Sequence, residues 1–126
     1  MLVFYVDDDP EDQEIFIEAL KTVDPAIDCI TANDGKEAYD LLTDYLVILP
    51  DIIFLDINMP IMDGLQCLTL LRSDRKIRNI PVIVYSTAGS EDDTKMYQKC
   101  GAGYLKKQNN FNDLVEALAE ILKATK

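Results

Sequence analysis

The side chains able to do chemistry in this chain stand where apolar runs stop. Leu2–Val6 (LVFYV) runs into Asp7, Asp8 and Asp9, and Ile52–Leu55 (IIFL) into Asp56. Pro81–Tyr85 (PVIVY) runs into Ser86 and Thr87, and the weaker Gly103–Leu105 (GYL) into Lys106 and Lys107. If the runs are parallel strands, carboxylates, hydroxyls and an ammonium gather at one sheet edge. Two like charges about 4 Å apart repel by roughly 4 kcal/mol at an effective dielectric near 20. Three carboxylates in one pocket therefore need a cation or stay partly protonated. Mg2+, with Mn2+ as a substitute, prefers such hard oxygen ligands and keeps several waters. A carboxylate beside the ion can attack a phosphoryl group and form an aspartyl phosphate. Metal, lysine ammonium and hydroxyl are the natural stabilisers of the charge spread over the transferring group.

The rest of the composition narrows the field. The chain contains no histidine, so it has no Ser-His-Asp or Cys-His pair and cannot itself carry a phosphohistidine. Cys29, Cys67 and Cys100 are an odd number at wide spacings and read as reduced, packed thiols rather than zinc ligands. Twelve basic residues against 23 acidic ones give a net charge of −11. That balance repels a phosphate backbone and argues against direct nucleic-acid binding. The apolar stretch YLVILPDIIFLDI is cut by Pro50, Asp51 and Asp56 and is too broken to span a membrane. No basic leader precedes LVFYV, so a cytoplasmic location is expected. A length of 126 residues suits one domain over 1–126, and the 19 residues after Lys107 leave no room for an output domain.

Strand-like and helix-like segments alternate throughout. Asp9-Pro10 reads as an N-cap followed by a first-turn proline, and Ile15, Ala19, Leu20 and Val23 then recur at helical spacing. Ile27–Thr31 alternates like an edge strand. Asn33-Asp34-Gly35 turns the chain into a second helix marked by Ala38, Leu41, Leu42 and Tyr45. After IIFL comes a turn, NMPIMDG, and a third helix carrying Leu65, Leu68 and Leu71. Ser90 with Asp93 resembles a capping pair opening a short polar helix, Glu91 to Lys99. Asn110 caps a last helix with Leu114, Val115, Leu118, Ile121 and Leu122 on one face. Strands separated by helices are parallel, so the expected fold class is α/β: a flavodoxin-like, doubly wound (βα)5 with a five-stranded parallel sheet in the order 2-1-3-4-5. Its switch point lies between strands 1 and 3, where Asp7, Asp8 and Asp56 end up.

These residues match a family. VDDD, FLDINMPIMDG, PVIVYST and GAGYLKK together resemble the receiver domain of two-component response regulators, over essentially the whole chain. The resemblance implies that Asp56 is the phosphoacceptor, and that Asp7, Asp8, Asp56 and the backbone carbonyl of Asn58 hold Mg2+ or Mn2+. It further implies that Ser86 is the switch hydroxyl, Lys107 the site lysine and Tyr104 the aromatic that changes rotamer. By the same resemblance, Pro60 and Gly64 match the turn that shapes the loop after the acceptor. The chain is then expected to be a stand-alone receiver that assists its own phosphorylation, not an enzyme turning over free substrates. Its partners are a sensor histidine kinase or histidine phosphotransfer protein as donor and a downstream target protein, with no nucleic acid and no membrane.

One residue departs from the family pattern: Gln108 stands where a cis proline usually follows the lysine. A cis bond to a non-proline residue costs about 2.5–4 kcal/mol, so a trans bond and a displaced Lys107 are expected. Strand alternation lets only one of Lys106 and Lys107 face the site, and register after Tyr104 favours Lys107. Two rival readings use the same residues. A non-phosphorylated pseudo-receiver would be a constitutive interaction module. A haloacid-dehalogenase-like phosphatase would use Asp7 as nucleophile and Asp9 as general acid, which leaves Asp56 without a role.

Overall fold

The computed structural model of the chain describes residues 1–57, 64–87 and 91–125. Five strands, β1 (Leu2–Val6), β2 (Asp28–Ala32), β3 (Ile52–Asp56), β4 (Val82–Ser86) and β5 (Gly103–Lys106), alternate with helices α1 (Pro10–Val23), α2 (Gly35–Asp40), α3 (Gly64–Ser73), α4 (Glu91–Lys99) and α5 (Phe111–Thr125). All pairings are parallel and the strand order is 2-1-3-4-5, as expected.

The sheet has two covered faces, which is why its central strands are almost uniformly apolar. Every residue of β3 is buried, whereas only Ala32 is buried in the edge strand β2. One face packs Val3, Tyr5, Ile52, Phe54 and Tyr85 against Phe16, Ala19 and Leu20 of α1 and Leu114, Leu118 and Leu122 of α5. The other packs Phe4, Val6, Ile53, Leu55, Val82 and Val84 against α2, α3 and Tyr97 of α4. Residues two apart along a strand share a face. Asp7 and Asp56 thus continue the α1/α5 face beyond Tyr5 and Phe54, while Ser86 continues the opposite face beyond Val84.

Two helix faces differ from the sequence expectation. The stripe of α1 turned to the sheet holds Phe16, Ala19 and Leu20, and Ile15 is 46% exposed. An aromatic ring at position 16 fills the gap between Tyr5 and Phe54, stacking on Tyr5 at 3.9 Å and meeting Phe54 edge-on at 5.0 Å. The second helix is regular only to Asp40. It widens into one π-type turn, Leu41–Tyr45, closed by Leu46 N donating to Leu41 O at 2.9 Å. Leu42 stays buried, but the extra residue turns Tyr45 outward, 73% exposed, and Val47 and Ile48 follow it into solvent. Strands β2 and β4 each begin and end one residue later than the apolar runs suggest.

Asp9 caps α1, accepting from Glu11 N at 2.9 Å, and Asn110 caps α5, accepting from Asp113 N at 2.8 Å. The Ser90 half of the proposed capping pair lies outside the described residues. Helix α4 is followed, two residues after Lys99, by Gly101, whose φ of 75° suits glycine and is strained for any other residue. Against that turn lies Arg72 of α3. Its guanidinium donates to the carbonyls of Cys100 and Gly101, each at 3.0 Å, and to Arg78 and Ile80 at 2.7 and 2.9 Å. It ties the α3–β4 connection to the α4–β5 turn. Among the described residues the three cysteines are free, and no helix is long and apolar enough to cross a membrane.

Candidate functional site

The sheet's carboxyl edge gathers the residues singled out above. Asp7, Asp8 and Asp56 each offer a carboxylate oxygen, and these lie within 4.8 Å of one another. Asp7 and Asp56 are buried and Asp8 is exposed, so the cluster has dry walls and one side open to water. That arrangement fits an ion that takes hard oxygen ligands yet keeps part of its hydration shell.

Asp7 is held by three donors. Tyr5 Oη donates to its Oδ2 at 2.5 Å and Asp9 N to its Oδ1 at 3.0 Å. Lys107 Nζ also donates to Oδ2, at 3.3 Å. A carboxylate offers about four lone-pair sites, so capacity for a metal bond remains. The backbone carbonyl of Asp7 accepts from Gln13 Nε2 at 2.6 Å, and the same amide reaches Asn33 Oδ1 at 3.1 Å, joining the β1–α1 and β2–α2 loops. Burial and then the hydrogen bond to Asp7 hold the Tyr5 phenol well above its ordinary range.

Lys107, not Lys106, faces the site. Its backbone N donates to Ser86 O at 2.8 Å, and its Nζ lies 5.3 Å from the centre of the Tyr85 ring, on the α1/α5 face. The ammonium is 3.1 Å from Asp12 Oδ2, 3.3 Å from Asp7 Oδ2 and 3.8 Å from Asp56 Oδ2. Burial lowers its pKa, but Asp56, Asp7 and Asp12 outweigh that and leave it raised. Burial also pushes the Tyr85 hydroxyl up to about 12, the Lys107 charge opposing. The Lys107–Gln108 bond is trans. Gln108 turns its side chain back to donate to Lys106 O at 2.8 Å.

Ser86 is buried at the end of β4 and pairs in register with Lys106, so it approaches from the face opposite Lys107. Tyr104 pairs with Val84 on that same face, and its ring stacks on Tyr97 at 6.3 Å. Asn58 and Pro60 lie outside the described residues. Asp9, the general acid of the phosphatase alternative, is occupied as the N-cap of α1.

Sequence reasoning missed Tyr5, Gln13 and Asp12. Tyr5 carried a signal, since a residue two before Asp7 in a strand shares its face. Asp12 carried one as well: it leads the stripe Asp12, Phe16, Ala19, Leu20, Val23, which becomes visible only when Phe16 rather than Ile15 marks the buried face.

Comparison with known proteins places the fold among related chains. The CpxR transcriptional regulatory protein of Escherichia coli is 34% identical over 122 residues, which cover 96% of this chain and 49% of that protein. The chain thus spans about half the length of that relative. The Mn2+-bound form of the response regulator Rcp1, a protein of Synechocystis, superposes with a TM-score of 0.83 at 29% identity, covering 95% of this chain and 90% of that one. The phosphorylated cyanobacterial phytochrome response regulator RcpA does so with a TM-score of 0.86 at 31% identity, covering 97% and 91%. Receiver domains are signalling modules rather than turnover enzymes. The family model for the response regulator receiver domain matches residues 3–119, and the chain belongs to that family.

Proposed function

We propose that the chain is a receiver in which Asp56 accepts a phosphoryl group from a phosphohistidine. The observation that carries this reading is the placement of Asp56 within 4.8 Å of the Asp7 and Asp8 oxygens, with the Lys107 ammonium 3.8 Å away. In the transfer, an Asp56 carboxylate oxygen forms a bond to phosphorus as the donor's P–N bond breaks, and the electron pair returns to the donor imidazole. Asp7, Asp8 and Asp56 would hold a divalent ion, with the Asn58 carbonyl, outside the described residues, as the further ligand the family resemblance implies. The chemistry Mg2+ or Mn2+ would supply there is positive charge against the equatorial oxygens. Two of the similar structures are of a Mn2+-bound and a phosphorylated protein, which supports both halves of the reading.

The chain's own residues do the rest. Lys107 approaches the new phosphoryl oxygens from the α1/α5 face and Ser86 from the other. Charge-assisted hydrogen bonds contribute roughly 1.5–3 kcal/mol each, and two formed in one conformer alone shift a two-state equilibrium by ~10²–10⁴-fold. Ser86 moves toward the phosphoryl group and Tyr104 follows inward, remodelling the α4–β5–α5 surface. Output runs through a downstream protein in the cytoplasm, not through direct nucleic-acid contact, in line with the charge of −11.

Acid-labile labelling by acetyl phosphate tests the reading. It is expected to require Mg2+ and to vanish in Asp56→Ala. An unlabelled wild-type protein points to the pseudo-receiver instead, and labelling lost in Asp7→Asn but kept in Asp56→Asn points to the phosphatase.

A further inference from the structure

Asp12 occupies the third position of α1, where an acid ordinarily complements the helix dipole or closes a capping box by accepting from the N-cap N–H. It does something else here. The Asp9 N–H that such a box would use donates to Asp7 Oδ1 at 3.0 Å, and Asp12 Oδ2 reaches instead to Lys107 Nζ, 95 residues away, at 3.1 Å. Of the three carboxylates around the ammonium, Asp12 is the nearest and Asp56, at 3.8 Å, the farthest. An ammonium has three N–H donors. One goes to Asp12 and one to Asp7, and Asp56 lies beyond hydrogen-bonding distance. With Gln108 after Lys107, the loop after β5 has no proline ring to stiffen it there.

We propose that Asp12 is a positioning residue that holds Lys107 back from Asp56 and so restrains binding of the phosphoryl group. The inference rests on the phosphoacceptor reading above. Asp12 and Lys107 side chains are 39% and 15% exposed, so the pair sits between a surface bridge and a buried one. Drawing the ammonium onto a phosphoryl oxygen weakens that pair, and this opposition to phosphorylation disappears when the carboxylate becomes an amide.

Beryllofluoride, titrated at saturating Mg2+ and followed by amide NMR shifts, tests this on the intact chain. Asp12→Asn is expected to bind about twofold to fivefold more tightly than wild type, the range of a partly exposed ion pair. Asp12→Glu is expected to restore wild-type affinity. In a Lys107→Ala background the Asp12→Asn gain is expected to disappear, because the effect acts through the ammonium. Unchanged affinity in Asp12→Asn overturns the proposal, as does a gain that survives intact without Lys107. Wild-type protein that binds no beryllofluoride sinks the phosphoacceptor reading instead. The Lys107 Nζ resonance of metal-free protein then decides the contact: it is expected to move in Asp12→Asn, and an unmoved resonance overturns it.

Discussion

The hydroxyl of Tyr5 donates to Asp7 Oδ2 at 2.5 Å, on the same oxygen that Lys107 Nζ meets at 3.3 Å. Asp7 directly follows β1, two residues after Tyr5 and on the same α1/α5 face, and the Phe16 ring stacks on that of Tyr5. Tyr5 therefore orients a metal-ligand candidate from within the core. Removing such an outer partner typically costs 10–100-fold in metal affinity. Tyr5→Phe is expected to weaken Mn2+ binding by about tenfold, read by calorimetric titration, and to leave Asp7 with one donor fewer. Unchanged affinity would mean that the phenol only fills space.

Arg72 is the second support, remote from the acids. Four carbonyls from two connections converge on one guanidinium, a planar fork that an ammonium cannot copy. Arg72→Ala is expected to lower stability by about 2–3 kcal/mol in urea unfolding, with Arg72→Lys recovering less than half.

The elements and the acid cluster were legible because their signals are local. Apolar runs of four or five residues, Asp9-Pro10, Asn33-Asp34-Gly35 and Asn110 each act within a few residues of themselves, and strand order follows from connectivity. Arg72 was not legible, and the stripe that Asp12 leads gave its face but not its partner, since the partners of these two residues lie 28 and 95 residues away. An exposed-looking charge in a helix carries no mark of a distant carbonyl or ammonium. Ile15 and Phe16 are adjacent and both apolar, so periodicity alone could not decide which enters the core; the Tyr5 and Phe54 rings decide it. The outward turn of Tyr45 comes from a single added residue in a helix, which no pattern of apolar positions reveals.

Alkaline pH is expected to expose the buried thiol of Cys67. Burial first, and then the Asp34 charge, push that thiol up to about 12 from an ordinary 9.0. The unfolded chain releases the proton from pH 9 upward while the folded chain keeps it. The contribution is thus fully present below pH 9 and is lost as pH rises toward 12. The loss amounts to roughly 1.4 kcal/mol per pH unit within that window. Cys67→Ala, though less stable near neutrality because of the cavity it leaves, is expected to show a shallower fall between about pH 9 and pH 10.5. Parallel curves for the two proteins would assign the fall to other groups, such as Cys29, whose thiol is also pushed up to about 12.

Ser86 separates phosphorylation from switching. It is buried on the face that also carries Tyr104, opposite the face that carries Lys107. Ser86→Ala is expected still to take label at Asp56, since the acids and Lys107 are untouched. It loses the one charge-assisted hydrogen bond, worth roughly 1.5–3 kcal/mol, on which the switch depends. Its Tyr104 ring resonances are expected to stay near their unphosphorylated positions when beryllofluoride binds. A full Tyr104 shift without the hydroxyl would contradict the coupling between them.

Borohydride reduction of the acetyl phosphate-treated protein, followed by peptide mass spectrometry, locates the acyl phosphate by converting its aspartate to homoserine. Homoserine at position 56 alone, formed only when divalent metal was present during phosphorylation, is the expected result. Homoserine at position 7, or an intact aspartate at 56 under saturating phosphodonor, would contradict the account.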